Sequence, residues 1–275
     1  MIRIDKENDW WLLPHADHAA LAGEFARHWK NKEVSPPKPF AHILDAVSRH
    51  DDSWSPRDAR PDLTPEGQPS AFSKELVGSY DAFEDIDLEA YLDVRGRATE
   101  QAAIRDPYSA ILISMHTVNL LTEQADLEGV DSASLKIHSD FIQGQRVRQV
   151  ELIESLRSQP AFEGYLSEST LRENFEFLQA CDSFSLLVGV DYAEESTLRH
   201  RHSFAGAEKV PVSYTPLGND QYGLDPWPLD EPEIEFWIPY KSVPKTSATS
   251  LEDFRAAYQH TDPFFRKITV RGDSS

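Results

Sequence analysis

Residues 106–125 read DPYSAILISMHTVNLLTEQA, and this stretch sets the fold class. Ser109, Leu112, His116 and Leu120 recur at steps of three, four and four, which places them on one face of an α-helix. The apolar run from Ala110 to Leu121 is interrupted by His116 and Asn119 and is shorter than the ~18 residues needed to span a bilayer. The segment therefore predicts an apolar helix within a folded body, with one imidazole on an inward stripe.

The same period continues on both sides. His18, Ala22, Phe25 and Trp29 share a face in a helix expected from Ala16 to about Lys30. The VSPPKP run ends it, because prolines cannot continue a helix. A second helix is expected from Pro39 to His50, striped by Ile43, Val47, His50 and Trp54. Further helices are expected over 81–103, 133–158 and 170–190. Residues 51–79, rich in Pro, Asp, Ser and Gly, read as a long ordered or lid-like loop, with Trp54 and Phe72 arguing against free disorder. Residues 1–13 alternate loosely and suit an opening strand. After residue 191 the pattern changes to short β-prone pieces at 210–214, 234–239 and 267–270, with one short helix near 251–259. The expected fold is mainly α: a helical bundle over residues 1–190, with a small β-rich appendage over 191–275 packed on it.

The chain has 275 residues, with 27 Lys+Arg against 47 Asp+Glu and a formal charge of -20. Such a surface repels phosphate polyanions, so nucleic acid and anionic membranes are poor partners and a small molecule is the better expectation. The one cysteine, Cys181, cannot form an internal disulfide, and the charged start MIRIDKENDWWLL lacks the apolar run of a signal peptide. A reducing cytoplasm is the simplest compartment. GxGxxG, GxxxxGK[ST] and GxSxG motifs are absent, which removes support for phosphate-loop and serine-elbow chemistry.

The chemistry lies in polar residues on inward stripes. His18, His50, His116 and Asp182 each interrupt an apolar face on a different helix; Asp182 continues Leu171, Phe175 and Leu178, and Asp51 adjoins His50. Buried without partners, such groups cost several kcal/mol each (~2–7), so they must meet one another, backbone groups or a cation. Each alone has an ordinary explanation, such as a hydrogen-bonded core histidine or an Asp182 pair with Arg146 or Arg148; four intrusions in phase favour a shared site. Neutral imidazole and ionised carboxylate suit a divalent metal such as Mn, Mg, Ni, Zn or Fe. His18, His50, Asp51 and Asp182 are the expected ligands, and His116 and Asp52 the catalytic candidates. Arg199 and Arg201, in the basic island RHRH (199–202), are candidates for gripping an anionic substrate, although a solvated turn is the plainer reading of that island. Cys181 reads as a small core residue.

The order His18, His50-Asp51, Asp182 resembles the H…HD…D signature of the HD-domain metal-dependent phosphohydrolase superfamily. That resemblance implies an HD-domain-like helical bundle, a metal held by those four residues and an additional histidine at His116 or, less well placed, His138. The chain also resembles an uncharacterised bacterial family of unknown function through DHAALAG (17–23), HDDSW (50–54), PEGQP (65–69), SMH (114–116) and DSFSL (182–186). The expected function is a metal-dependent hydrolase acting on a small phosphorylated molecule. The alternatives are an HD-like di-iron oxygenase and a non-catalytic small-molecule-binding protein.

Overall fold

The computed structural model describes residues 1–77, 87–123, 127, 130–204 and 208–272. Seven strands and eight α-helices are found among them: β1 (Ile2–Asp5), β2 (Asp9–Leu13), α1 (His15–His28), α2 (Phe40–Arg49), α3 (Ser55–Asp58), α4 (Leu88–Arg105), α5 (Pro107–Thr122), α6 (Ser132–Leu156), α7 (Glu168–Gly189), β3 (Ser196–His202), β4 (Val210–Gly218), β5 (Gln221–Asp225), β6 (Glu233–Pro244), α8 (Leu251–His260) and β7 (Phe264–Gly272). The helix expected from residue 81 is described only from Leu88, and its first residues lie outside the described ones.

Helix starts follow local chemistry. Asp106 caps α5 by accepting from the amides of Tyr108 and Ser109, with Pro107 in the first turn, and Asp131 and Ser167 cap α6 and α7 in the same way. Helix α5 is buried nearly all round, because α2, α4, α6 and α7 all pack on it. The α1–α2 crossing is close: a Cβ at Gly23 would lie 2.1 Å from Ser48 Oγ, so only glycine fits there.

The expectation of a mainly α, HD-domain-like bundle with a small β appendage is corrected by the sheet. All seven strands form one sheet in the order β1-β2-β6-β7-β5-β4-β3, mixed because β5 runs parallel to β7, and curled into a half-barrel. The protein is therefore a mixed α and β fold. The opening strand is a hairpin whose second strand pairs with β6, Trp10 opposite Val243 and Leu12 opposite Lys241. Helices α1 and α7 lie against the sheet, α1 touching β6 and α7 touching β1 and β3. Phe25 and Phe184 stack with centroids 3.9 Å apart and meet Phe236 of β6, joining helices to sheet. β3 and β5 escaped the sequence reading because β3 (STLRHRH) buries only Leu198 and β5 has five residues.

At one end of the sheet, the β4–β5 hairpin turns through Asn219 and Asp220, both at positive φ (51° and 59°), in the manner of a two-residue hairpin loop. The turn delivers Asp220 to the buried Arg266 of β7. Arg266 Nε donates to Asp220 Oδ1 (2.8 Å), Nη1 to the Val188 carbonyl (3.1 Å), and Nη2 to Asp191 Oδ1 (2.6 Å) and Tyr222 Oη (2.8 Å). Tyr222 in turn donates to Asp191. No helix among the described residues is long and apolar enough to cross a membrane.

Candidate metal centre

The inward stripes of α1, α2, α5 and α7 meet at a cavity of about 330 Å³ between the helices and the β1 and β3 edges of the sheet. His18, His50, Asp51, His116 and Asp182 come together there, all buried. His18 Nε2 lies 3.0 Å and His50 Nε2 3.2 Å from the same oxygen, Asp182 Oδ1; their distances to Asp51 Oδ2 are 4.0 and 3.8 Å. The His50 ring also stands edge-on to His18 and His116, with centroids 5.2 and 5.3 Å away. Ligand atoms of His18, His50 and Asp51, and those of His50, His116 and Asp182, each lie within 4.8 Å of one another.

The outer nitrogens are already committed. His50 Nδ1 donates to the Val47 carbonyl at 2.9 Å. Ser185 Oγ donates to the Asp182 carbonyl at 2.9 Å, so at 2.8 Å it is free to accept from His18 Nδ1. In the neutral rings both Nε2 atoms then carry lone pairs, and these point at carboxylate oxygens. Lone pair against lone pair at 3.0 to 3.2 Å is repulsive unless a positive centre lies between. His50 Nε2 and His116 Nδ1 are buried without a hydrogen bond of acceptable geometry. Such a donor set fits a divalent cation, each tautomer fixed by the hydrogen bond at its outer nitrogen, as metal-binding imidazoles require.

Without a cation, the positive centre between these atoms is a proton on His50. Burial disfavours the charged His50 ring, but Asp51 and Asp182 outweigh it and push the imidazole up to about 9. Burial also disfavours ionised Asp51 and Asp182, yet Arg95 and His50 hold the first, and His18 and His50 the second, well below the ordinary carboxylate range. His116 is driven down to about 3, chiefly by burial, and stays neutral.

The other expected residues lie elsewhere. Asp52 is partly exposed beside Arg49, 3.4 Å away, and turned from the cluster. Arg199 lines the cavity, whereas Arg201 is exposed on β3 and does not. The RHRH island is a strand, not a turn, and a register shift between Thr197 and Arg201 separates the two arginines. His138 donates to the Leu121 carbonyl at 2.9 Å. Arg148 pairs with Glu100 and Glu151, so it does not serve Asp182. Cys181 is fully buried, and burial raises its thiol, as suits a core residue.

Two further residues take part, neither of them assigned to the cluster from sequence. Arg95 is buried, and its Nη1 donates to Asp51 Oδ1 at 2.7 Å, leaving Oδ2 to face the cluster. His15 lines the cavity, stacks on Trp54 and lies 3.0 Å from Asp58. The HADH spacing of His15 and His18, one turn apart on α1, was the available signal for the second.

One family model matches residues 1–245, a span that holds every residue of the cluster. The chain belongs to DUF3891. It is a family of proteins of unknown function, in keeping with the uncharacterised family to which the sequence segments pointed. No curated protein and no solved structure matches this DUF3891 member.

Proposed function

We propose that this DUF3891 member is a metal-dependent hydrolase acting on a small phosphorylated molecule. The observation that carries the reading is the convergence of His18 Nε2 and His50 Nε2 on Asp182 Oδ1 and Asp51 Oδ2, with both Nδ1 atoms already occupied. His18, His50, Asp51 and Asp182 would hold the metal, with His116 beside His50 and Asp182 as a further ligand. The ligand order along the chain is also the one by which the sequence resembles the HD-domain phosphohydrolases. When bound, a divalent metal acts as a Lewis acid and lowers the pKa of water.

The chain's own residues prepare the place for that chemistry. Arg95 neutralises one oxygen of Asp51, so the cluster keeps enough negative charge for a divalent cation without excess. Ser185 and the Val47 carbonyl hold the two imidazoles in register. Arg199 offers a guanidinium inside the cavity and has no carboxylate partner among the described residues, so an anionic group entering there meets a free positive charge.

The test is elemental analysis and metal titration of wild type and of the His50→Asn, Asp51→Asn double variant. Roughly one divalent ion per chain in the wild type and none in the variant is expected. Absence of metal affinity in the wild type overturns the reading, and two irons per chain would redirect it to oxygen chemistry.

A further inference from the structure

Among the described residues, the ionised side chains that line the cavity are Asp51, Asp182, Arg95 and Arg199. Two negative and two positive charges cancel, and the lining histidines are neutral when they hold metal. A divalent cation would leave this lining at +2. In a low-dielectric site that excess is costly unless the ligand brings it to zero. A phosphate monoester dianion does so. A diester carries one charge and leaves an excess, whereas a diphosphate overshoots and finds no second free cation.

The rest of the lining has another character. Ile2 of β1, Phe72, Leu76 and Val77 between α3 and α4, and Leu186 and Leu187 of α7 are apolar. Phe72 is fixed at the rim because its amide donates to the Met1 carbonyl (3.0 Å) and its carbonyl accepts from the Arg3 amide (2.8 Å). Among the described residues, no Asn or Gln side chain lines the cavity to read a nucleobase edge. Hydroxyls are present on Ser183, Ser196 and Thr197, each next to Asp182 or within three residues of Arg199 in sequence, and on Tyr192, whose Oη donates to Glu194 at 3.5 Å. The volume, about 330 Å³, is at the lower end for small-molecule sites.

Arg199 reaches this cavity through a distortion of β3. Thr197 pairs with Ser213 and Arg201 with Pro211, so the strand carries extra residues between them, and His200 takes positive φ (64°). Such a backbone is unfavourable for a non-glycine residue and is held here from outside the strand. His200 Nε2 bonds Gln179 Oε1, and Gln179 Nε2 donates to Asn119 Oδ1 at 2.7 Å. The bulge thus re-aims one side chain, as bulges beside binding sites do.

We infer that the substrate is a phosphate monoester of a small aliphatic alcohol, its dianion facing Arg199 and the His/Asp cluster and its carbon body on the Ile2, Phe72, Leu76, Val77 and Leu186 wall. This rests on the metal reading above. Hydrolysis breaks the phosphoryl–oxygen bond, adds water's hydroxyl to phosphorus and its proton to the leaving alcohol oxygen, and releases inorganic phosphate without oxidation or reduction.

Calorimetric titration of manganese-loaded protein with non-hydrolysable probes tests the inference, and elemental analysis of the same sample keeps the two readings apart. Methyl-, butyl- and hexylphosphonate are expected to bind with affinity rising by up to about fourfold per buried methylene, and methylenediphosphonate at least tenfold more weakly than hexylphosphonate. Arg199→Ala is expected to lose about tenfold or more in hexylphosphonate affinity with metal content unchanged, and Arg199→Lys to recover part of it. In turnover, hexyl phosphate is expected to exceed a hexose phosphate and a nucleoside monophosphate in kcat/KM. If metal is bound but affinity ignores chain length, or the diphosphonate, sugar phosphate or nucleotide is preferred, the substrate class is overturned and the metal reading stands. If metal does not bind, both fall.

Discussion

Two ionic clusters are built around buried groups, Arg266 and His50, and they differ in what they lack. Around Arg266, the guanidinium, two carboxylates and a phenol satisfy one another and a backbone carbonyl. Around His50, two imidazole nitrogens and two carboxylate oxygens face one another, and buried nitrogens of His50 and His116 have no hydrogen bond. A closed cluster serves the fold: with Lys6 3.5 Å from Asp191, two cations match its two carboxylates. The open one is buried throughout, whereas Asp191 and Asp220 reach solvent, and its facing nitrogens and oxygens are what a bound cation would satisfy.

The contrast can be broken in several ways. Asp182→Asn keeps the shape but removes the carboxylate shared by both imidazoles, and is expected to abolish measurable metal binding in a titration, a loss beyond the ~10–100-fold that follows removal of a group hydrogen-bonded to a ligand. Arg266→Met should do the reverse: about 3 kcal/mol of stability lost, read by denaturant unfolding, with metal affinity unchanged. A loss of metal affinity in that variant would erase the distinction. Ser185→Ala frees the His18 tautomer and is expected to weaken metal binding by ~10–100-fold.

His116→Leu is expected to raise the stability of metal-free protein by about 1 kcal/mol, because it removes an unpartnered buried nitrogen. A decrease would mean that the ring is satisfied. The smallest effect concerns acid. Burial opposes ionisation of Asp191, but Arg266 and Tyr222 outweigh it and lower the carboxyl below its ordinary value. Its stabilising contribution is therefore complete above the unfolded value of ~3.9 and is lost as pH falls through the lower native value. Between pH 5 and 3, wild type should lose more stability than Asp191→Asn, measured by thermal melts.

The candidate site was more legible in the sequence than the fold around it. His18, His50, His116 and Asp182 break apolar stripes of period 3.6, and a local period is visible without tertiary knowledge. Arg95 was not, because a long basic side chain on a helix ordinarily faces water, and only the position of Asp51 shows that it is buried. The sheet was hidden for a related reason. β2 acquires its role by pairing with β6, and no local pattern in DWWLL announces a partner near residue 243. β3, polar at nearly every position, reads as a turn until its register shift and the His200 φ are known.

The pairing of β2 with β6 also bears on how the chain is made. Trp10 leaves the ribosome roughly 230 residues before Val243. At translation rates of about 5–20 residues per second, that is on the order of 10 to 50 s during which DWWLL has no strand on its β6 side. A hydrophobic edge left open for that long is a template for pairing with another nascent chain, so slower synthesis lengthens the interval in which DWWLL is exposed to it.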